Sequence, residues 1–181
     1  MNFERHAIIL SIVEQLNRLG GSSGKTHVQK SLFLVQAVHR DLIPFQYVLY
    51  KHGPYSFEVE DELEEMKSYA AIASRPVLDY GVAFAPDAMA EFVRKKAPLT
   101  GILPRRLETV CQFVSGKCAA DLERISTAAW VYGREGIEAK GPNVERIVEL
   151  KPHVSRHLAE DAFDQWHCFR QLIEAEEMRA S

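Results

Sequence analysis

The chain has 181 residues, of which 46% are hydrophobic and 26% are charged, and its net charge is -3. This length and composition fit one globular domain, or a small domain with an appendage, and exclude a disordered or fibrous chain. The small acidic excess excludes a molecule whose whole field attracts a polyanion, so a nucleic-acid site would have to be a local basic patch.

The first quarter of the sequence predicts two helices joined by a turn. Residues 3–19 place apolar side chains at spacings of three and four, which is typical of an amphipathic helix, and two glycines end it. Thr26 followed by Gln29 predicts a capping box at the start of a second helix that runs to about Arg40. Residues 41–44 end in proline and predict a break after this helix.

A short strand and a third helix follow. Residues 45–50 are rich in aromatic and β-branched side chains, which indicates a strand, and residues 51–54 predict the turn that ends it. Ser56 is the expected N-cap of the third helix, whose acidic first turn complements the helix dipole. The predicted buried stripe of this helix consists of Val59, Leu63, Met66 and Ala70.

A second pair of strands completes the N-terminal half. Residues 72–78 and 82–85 flank a segment, 79–81, whose glycine suits the positive φ of a hairpin turn. A short helix over residues 87–96 follows. The order helix, helix, strand, helix, hairpin predicts a winged-helix-like domain over residues 1–97.

The rest of the chain is predicted to be helical. Residues 97–104 contain two prolines and a glycine and are the best candidate linker. We therefore expect a mostly α protein with minor β structure, in which the winged-helix-like domain (1–97) packs on a C-terminal helical bundle (103–181), as two domains or as one compact unit. Ser155 is the expected N-cap of the last helix, whose predicted buried positions are Leu158, Ala162, Trp166, Phe169 and Ile173.

No complete catalytic motif is present. The segment 20–26 has the glycines and lysine of a phosphate-binding loop, but Leu19 stands where such a loop needs glycine and a helix precedes it, so we interpret the segment as a turn. Cys111, Cys118 and Cys168 lack zinc-ligand spacing and the even number of a disulfide framework. We expect a protein that is not an enzyme, has no cofactor and no metal, and resides in the cytoplasm.

No stretch is as apolar and long as a membrane-spanning helix, which needs about 18 residues or more. The longest apolar stretches cover residues 7–13 and 31–38. We therefore expect no membrane partner.

The strongest charge feature lies on the third helix. Six of the eight residues from 58 to 65 are carboxylates, and without them the chain has 22 basic and 19 acidic residues. Such a helix would repel phosphate, which argues against its insertion into a DNA groove; it is either a solvated face or a docking face for a basic partner protein. The carboxylates expected to point away from the buried stripe, and to contact such a partner, are Glu58, Asp61, Glu62 and Glu65.

Basic residues elsewhere support an alternative hypothesis, a winged-helix DNA-binding transcription regulator. They could follow a phosphate backbone, although a scattered solvated surface explains them about as well, because no interleaved set of aromatic residues accompanies them. The candidate DNA-binding residues are Lys25, Lys30, Arg75, Arg94, Lys95, Lys96, Arg105 and Arg106.

Three short segments carry a family resemblance. They are VQKSLFL at 28–34, FQY and KHGPYS within 45–56, and KPHVS at 151–155. These segments resemble the YwgA-like bacterial proteins and, more distantly, the SocA-like (Panacea) antitoxin domain. The resemblance implies a small cytoplasmic regulatory or interaction protein, often linked with phage or toxin loci, that serves as an antitoxin, proteolytic adaptor or regulator. It implies no catalytic residues.

The sequence therefore favours a non-catalytic regulatory protein that acts by binding another protein, such as a toxin, a nuclease or a protease substrate. Besides the acidic helix, the turn residues Lys51, His52 and Tyr55 are candidate partner contacts. Gly53 permits positive φ there, and the Tyr55 ring can pack while its hydroxyl stays in water. The DNA-binding regulator is the alternative.

Overall fold

The computed structural model describes residues 1–39, 42, 45–77 and 81–180. Helices dominate the described part of the chain, which confirms the predicted mostly α fold with minor β structure. No helix in this part has both the length and the apolar character needed to cross a membrane. The elements are α1 (Phe3–Arg18), α2 (Lys25–Val38), β1 (Val48–Tyr50), β2 (Gly53–Tyr55), α3 (Phe57–Ser68), β3 (Ile72–Val77), β4 (Gly81–Pro86), α4 (Ala90–Lys96), α5 (Leu103–Ser115), α6 (Ala119–Arg134), α7 (Lys140–Leu150) and α8 (Arg156–Ala180).

The helix starts agree only in part with the predicted caps. Ser56 caps α3 as predicted, with its hydroxyl accepting the backbone N–H of Val59 at 3.3 Å. The capping box predicted for α2 is wrong: Gly24 is the N-cap and makes no side-chain bond. Gln29 is not available to the cap because its side chain binds the backbone of Ser56 instead.

Two antiparallel hairpins interrupt the helices. In the first, Tyr50 pairs with Gly53, so Gly53 and Pro54 belong to β2 rather than to the predicted turn. In the second, β3 pairs with β4 from Ile72 opposite Pro86 onward, as predicted for the wing. The predicted turn residues Asp79 and Tyr80 lie outside the described residues, as do Arg40 and most of the predicted break at 41–44.

The buried stripe of α3 is confirmed at three of its four positions. Val59, Leu63 and Met66 have no exposed surface. Ala70 lies beyond the end of the helix at φ 59°, so the prediction that it extends the stripe is wrong. In α8, four of the five predicted positions are buried, whereas Leu158 is 37% exposed.

One connected apolar core joins the two halves of the chain. Leu16 and Leu34 from the first half belong to the same buried cluster as Val110, Ile125 and Trp166 from the second. Helices α1 and α2 pack on α5 and α6, and the first hairpin packs on α6. The division into 1–97 and 103–181 stays a prediction about chain organisation.

Candidate functional site

The first hairpin, β1–β2, rests on buried polar side chains that come from distant parts of the chain. Lys30 of α2 is 2% exposed, and its Nζ donates hydrogen bonds to the backbone oxygens of His52 at 2.6 Å and Pro54 at 2.7 Å. Burial lowers the pKa of Lys30 to about 8, with Glu123 opposing the shift and Lys151 adding to it. A buried lysine therefore fixes the carbonyl groups on both sides of Gly53.

Lys151 and Glu123 hold the tip of the same hairpin. Lys151, which follows α7, donates to the backbone oxygen of Lys51 and lies 3.0 Å from a carboxylate oxygen of Glu123. The other oxygen of Glu123 lies 3.1 Å from Nδ1 of His52. Burial raises the pKa of Glu123, but the hydrogen bonds from Lys151 and His52 outweigh it and hold that pKa below its usual value.

Gln29 connects the hairpin to the start of α3. Its amide nitrogen donates to the backbone oxygen of Ser56 at 2.7 Å, and its amide oxygen accepts the Ser56 N–H at 3.0 Å. Both partners are buried, so each bond satisfies a backbone group that water does not reach. We call Gln29, Lys30, Glu123 and Lys151 the polar seat of the hairpin.

Gly53 lets the hairpin approach α6 closely. Its φ is +83°, a conformation that favours glycine. A Cβ at this position would lie 3.2 Å from the backbone oxygen of Glu123 and from the hydroxyl oxygens of Ser126 and Thr127. Glycine is thus required both for the backbone conformation and for the contact with α6.

Above the polar seat, the hairpin exposes a group of aromatic rings. Tyr50 and Phe57 are 59% and 54% exposed, and the ring centroids of Tyr50, Tyr55 and Phe57 are separated by 5.3 to 6.1 Å. Two carboxylates border the rings, because Tyr55 is hydrogen bonded to Glu60 and lies in the field of Asp61. Partial burial, this hydrogen bond and the two charges raise the pKa of Tyr55. We call Tyr50, Tyr55, Phe57, Glu60 and Asp61 the hairpin surface.

The predicted partner contacts at the turn are placed around this surface. Lys51 and His52 are exposed at the hairpin tip, and Tyr55 is partly exposed within the hairpin surface. Asp61 is exposed, as predicted. These four residues therefore lie on, or next to, one accessible region.

The prediction that the other carboxylates of α3 point away from the core is wrong for Glu62, whereas the side chains of Glu58 and Glu65 are 37% and 38% exposed. Glu62 is only 9% exposed, and its carboxylate lies 3.2 Å from Arg5 and 2.6 Å from His6. Glu58 also contacts Arg5, at 3.5 Å, and Glu65 contacts His6, at 3.3 Å. Positions 58, 62 and 65 share one side of α3, and α1 packs along that side.

Two of the candidate DNA-binding residues are buried, so the prediction that they contact DNA is wrong. Lys30 and Arg106 are each 2% exposed, so neither can reach a phosphate, and Arg106 pairs with Glu176. The remaining six sit on several elements, and four of them contact carboxylates. Lys25 contacts Glu60, Arg94 contacts Glu14 and Glu91, Lys95 contacts Glu91, Arg105 contacts Glu176, and Arg75 and Lys96 are exposed.

The three segments that carry the family resemblance meet at the polar seat. Gln29 and Lys30 come from the first segment, Ser56 from the second and Lys151 from the third. No protein-family model matches the chain, and no curated protein matches it either. The resemblance therefore stays a prediction, whereas the three segments of this chain together hold the hairpin.

The lowered pKa of Lys30 predicts a pH dependence of stability. The folded protein releases this proton near pH 8, whereas the unfolded chain keeps it to about pH 10.5, so stability rises with pH between these values. Relative to Lys30→Met, the wild type should gain about 3 kcal/mol of unfolding free energy across this window. Urea denaturation of both proteins at several pH values measures the difference. If the unfolding free energy of the wild type minus that of Lys30→Met stays constant or falls as the pH rises, the lowered pKa assigned to Lys30 is contradicted.

Proposed function

We propose that this chain is a non-catalytic regulatory protein that binds a basic segment of a partner protein at the hairpin surface. The observation that carries the proposal is the contiguous group of three aromatic rings, of which Tyr50 and Tyr55 lie on the first hairpin and Phe57 begins α3; the rings of Tyr50 and Phe57 are exposed. Single exposed apolar residues are ordinary on a protein surface, but contiguous aromatic groups are typical of binding sites. Tyrosine is enriched among the residues that dominate binding energy at protein interfaces.

The construction of the hairpin supports a binding role. The polar seat binds backbone groups at positions 51, 52, 54 and 56, and Gly53 lies directly against α6. The aromatic side chains therefore project from a backbone that is fixed before any partner arrives. Such preorganisation raises affinity because less conformational entropy is lost on binding.

The charges at the hairpin surface favour a basic partner. Asp61 is exposed, whereas Glu60 is already paired with Lys25 of this chain at 2.5 Å. Aromatic faces also attract lysine and arginine cations. A segment that combines basic and apolar side chains complements both features. A basic toxin or nuclease, among the partner classes that the resemblance implies, fits this chemistry.

Selection from a displayed random peptide library tests the proposal. Peptides that combine Lys or Arg with apolar residues should be enriched on the wild type. We expect Tyr50→Ser and Phe57→Ser each to weaken these peptides by about 10- to 30-fold, as for hot-spot residues. Phe92→Ser is the matched control, since Phe92 of α4 is 41% exposed but lies outside the hairpin surface.

Two results, one from this selection and one from a DNA-binding assay, would contradict the proposal. One is enrichment of the same peptides on the Tyr50→Ser and Phe57→Ser proteins. The other is tight, sequence-specific DNA binding that Lys95→Gln and Lys96→Gln together abolish, which would favour the DNA-binding regulator instead. Circular dichroism of each variant establishes that the fold is retained.

A further inference from the structure

Three metal-ligating side chains converge between α1 and α3, away from the hairpin surface. They are His6 of α1 and the carboxylates of Glu62 and Glu65, which lie three positions apart on α3. One donor atom of each lies within 4.8 Å of the others. Nε2 of His6 is 2.6 Å from Oε2 of Glu62 and 3.3 Å from Oε2 of Glu65.

Neighbouring groups contact two of these side chains at the atoms that do not face the cluster. Nδ1 of His6 is 2.7 Å from the hydroxyl of Tyr69, and Oε1 of Glu62 is 3.2 Å from Arg5. Such outer contacts are what orient the ligands of protein metal sites and select the histidine nitrogen that faces the ion. They leave Nε2 of His6 and Oε2 of Glu62 facing each other, with Oε2 of Glu65 beside them.

The two buried donor atoms lie in short contact with each other but in poor hydrogen-bond geometry. His6 has no exposed surface, and neither its Nε2 nor Oε2 of Glu62 makes a hydrogen bond of acceptable geometry within the described residues, despite their short separation. Buried polar atoms are normally hydrogen bonded, and this short contact between a ring nitrogen and two carboxylate oxygens requires either a proton or a metal cation between them.

We propose that His6, Glu62 and Glu65 bind one divalent transition-metal ion, with zinc as the best match. Imidazole nitrogen and carboxylate oxygen are both zinc ligands, and donor atoms on a tetrahedral zinc ion lie about 3.3 Å apart. The His6–Glu65 separation already has this value, and the His6–Glu62 pair has to open slightly. Glu65 is 38% exposed, so water can complete the coordination from that side. The ion links α1 to α3.

This site has no signature in the sequence because its ligands lack a local spacing. His6 is 56 residues from Glu62, and the other ligands belong to an acidic run. Only the packing of α1 against α3 brings the three together. This proposal departs from the expectation of a metal-free protein, and zinc titration decides between the two.

Zinc titration of the full chain by calorimetry tests the site. The exposed thiols are first removed by Cys118→Ser and Cys168→Ser, because thiols bind zinc independently of this cluster. We expect one zinc ion per chain and a rise in melting temperature with zinc concentration. Glu65→Gln should weaken binding by at least about 100-fold, and Tyr69→Phe by about 10-fold.

Glu64→Gln is the matched control, because Glu64 lies on the same helix, is 58% exposed and pairs with Lys67. It should bind zinc as the parent does. His6→Gln should abolish binding; if that variant does not fold, Glu65→Gln decides the question, since its side chain is partly exposed. Failure to bind zinc, or equal binding by the parent and Glu65→Gln, would overturn the proposal. Cobalt absorption of the parent provides a second readout of nitrogen and oxygen ligation.

Discussion

Gly53→Ala is expected to lower the free energy of unfolding by about 3 kcal/mol. The left-handed backbone at this position costs about 1 kcal/mol for alanine, and the new Cβ would press on α6 at three oxygen atoms, which adds about 2 kcal/mol. Urea denaturation followed by circular dichroism measures the loss. The same variant should bind the selected basic peptides more weakly, because the hairpin has to move away from α6.

Gly136→Ala is the matched control for this prediction. Gly136 has φ +71°, close to the value for Gly53, but an added Cβ would meet no atom within 4 Å. This variant should therefore lose only the backbone cost of about 1 kcal/mol. Equal losses at the two glycines would show that the contact between the hairpin and α6 contributes nothing.

Gln29→Leu is expected to cost about 3 kcal/mol, because it leaves the buried N–H of Ser56 without a partner and removes one of the two hydrogen bonds that the Ser56 C=O accepts, the other coming from the Glu60 N–H. Ser56 also caps α3, so the start of that helix should fray, and hydrogen exchange at Val59 should accelerate. Thermal and urea unfolding measure the loss of stability. Gln112→Leu, the same substitution at an exposed position of α5, should change stability by less than about 0.5 kcal/mol. A similar effect at both positions would contradict the role given to Gln29.

Apolar periodicity predicts the helices well because it reports directly which face of each helix is buried. The stripe of Val59, Leu63 and Met66 and the cap at Ser56 both follow from local sequence and are confirmed. The start of α2 does not follow from local sequence, because the Gln29 side chain can form hydrogen bonds either at the helix cap or with a distant part of the chain. The local pattern favours a capping box, whereas the tertiary structure uses the side chain to bind Ser56.

The orientation of charged residues depends on neighbours that local spacing does not encode. Glu62 looks solvent-facing on the helix pattern of α3, but α1 covers that side and supplies Arg5 and His6. The position of Lys30 in the sequence is a signal from which its burial could have been predicted. Lys30 lies in a strongly apolar helix, and a lysine in such a position has to find acceptors, here the carbonyl groups of the hairpin.

The candidate site was predictable at Tyr55 but not at Tyr50 or Phe57. The aromatic segment 45–50 is interpreted from sequence as a strand, without telling which of its residues are buried. A two-stranded antiparallel hairpin that packs on α6 leaves its other face in water, and that face carries Tyr50. Glu123 and Lys151 of the polar seat are remote in sequence from the hairpin, so no motif search joins them to it.

The most direct test of the central claim is an NMR titration of the ¹⁵N-labelled chain with a selected peptide that combines basic and apolar residues. We expect chemical-shift changes at the backbone amides of residues 48–61, with little change on α4 or on the C-terminal helices. Added salt should reduce these changes, because the exposed Asp61 contributes electrostatic attraction. Shift changes centred on α4 and the linker would contradict the claim that the hairpin surface is the binding site. Shift changes spread over α7 and α8, with the hairpin unaffected, would contradict it as well.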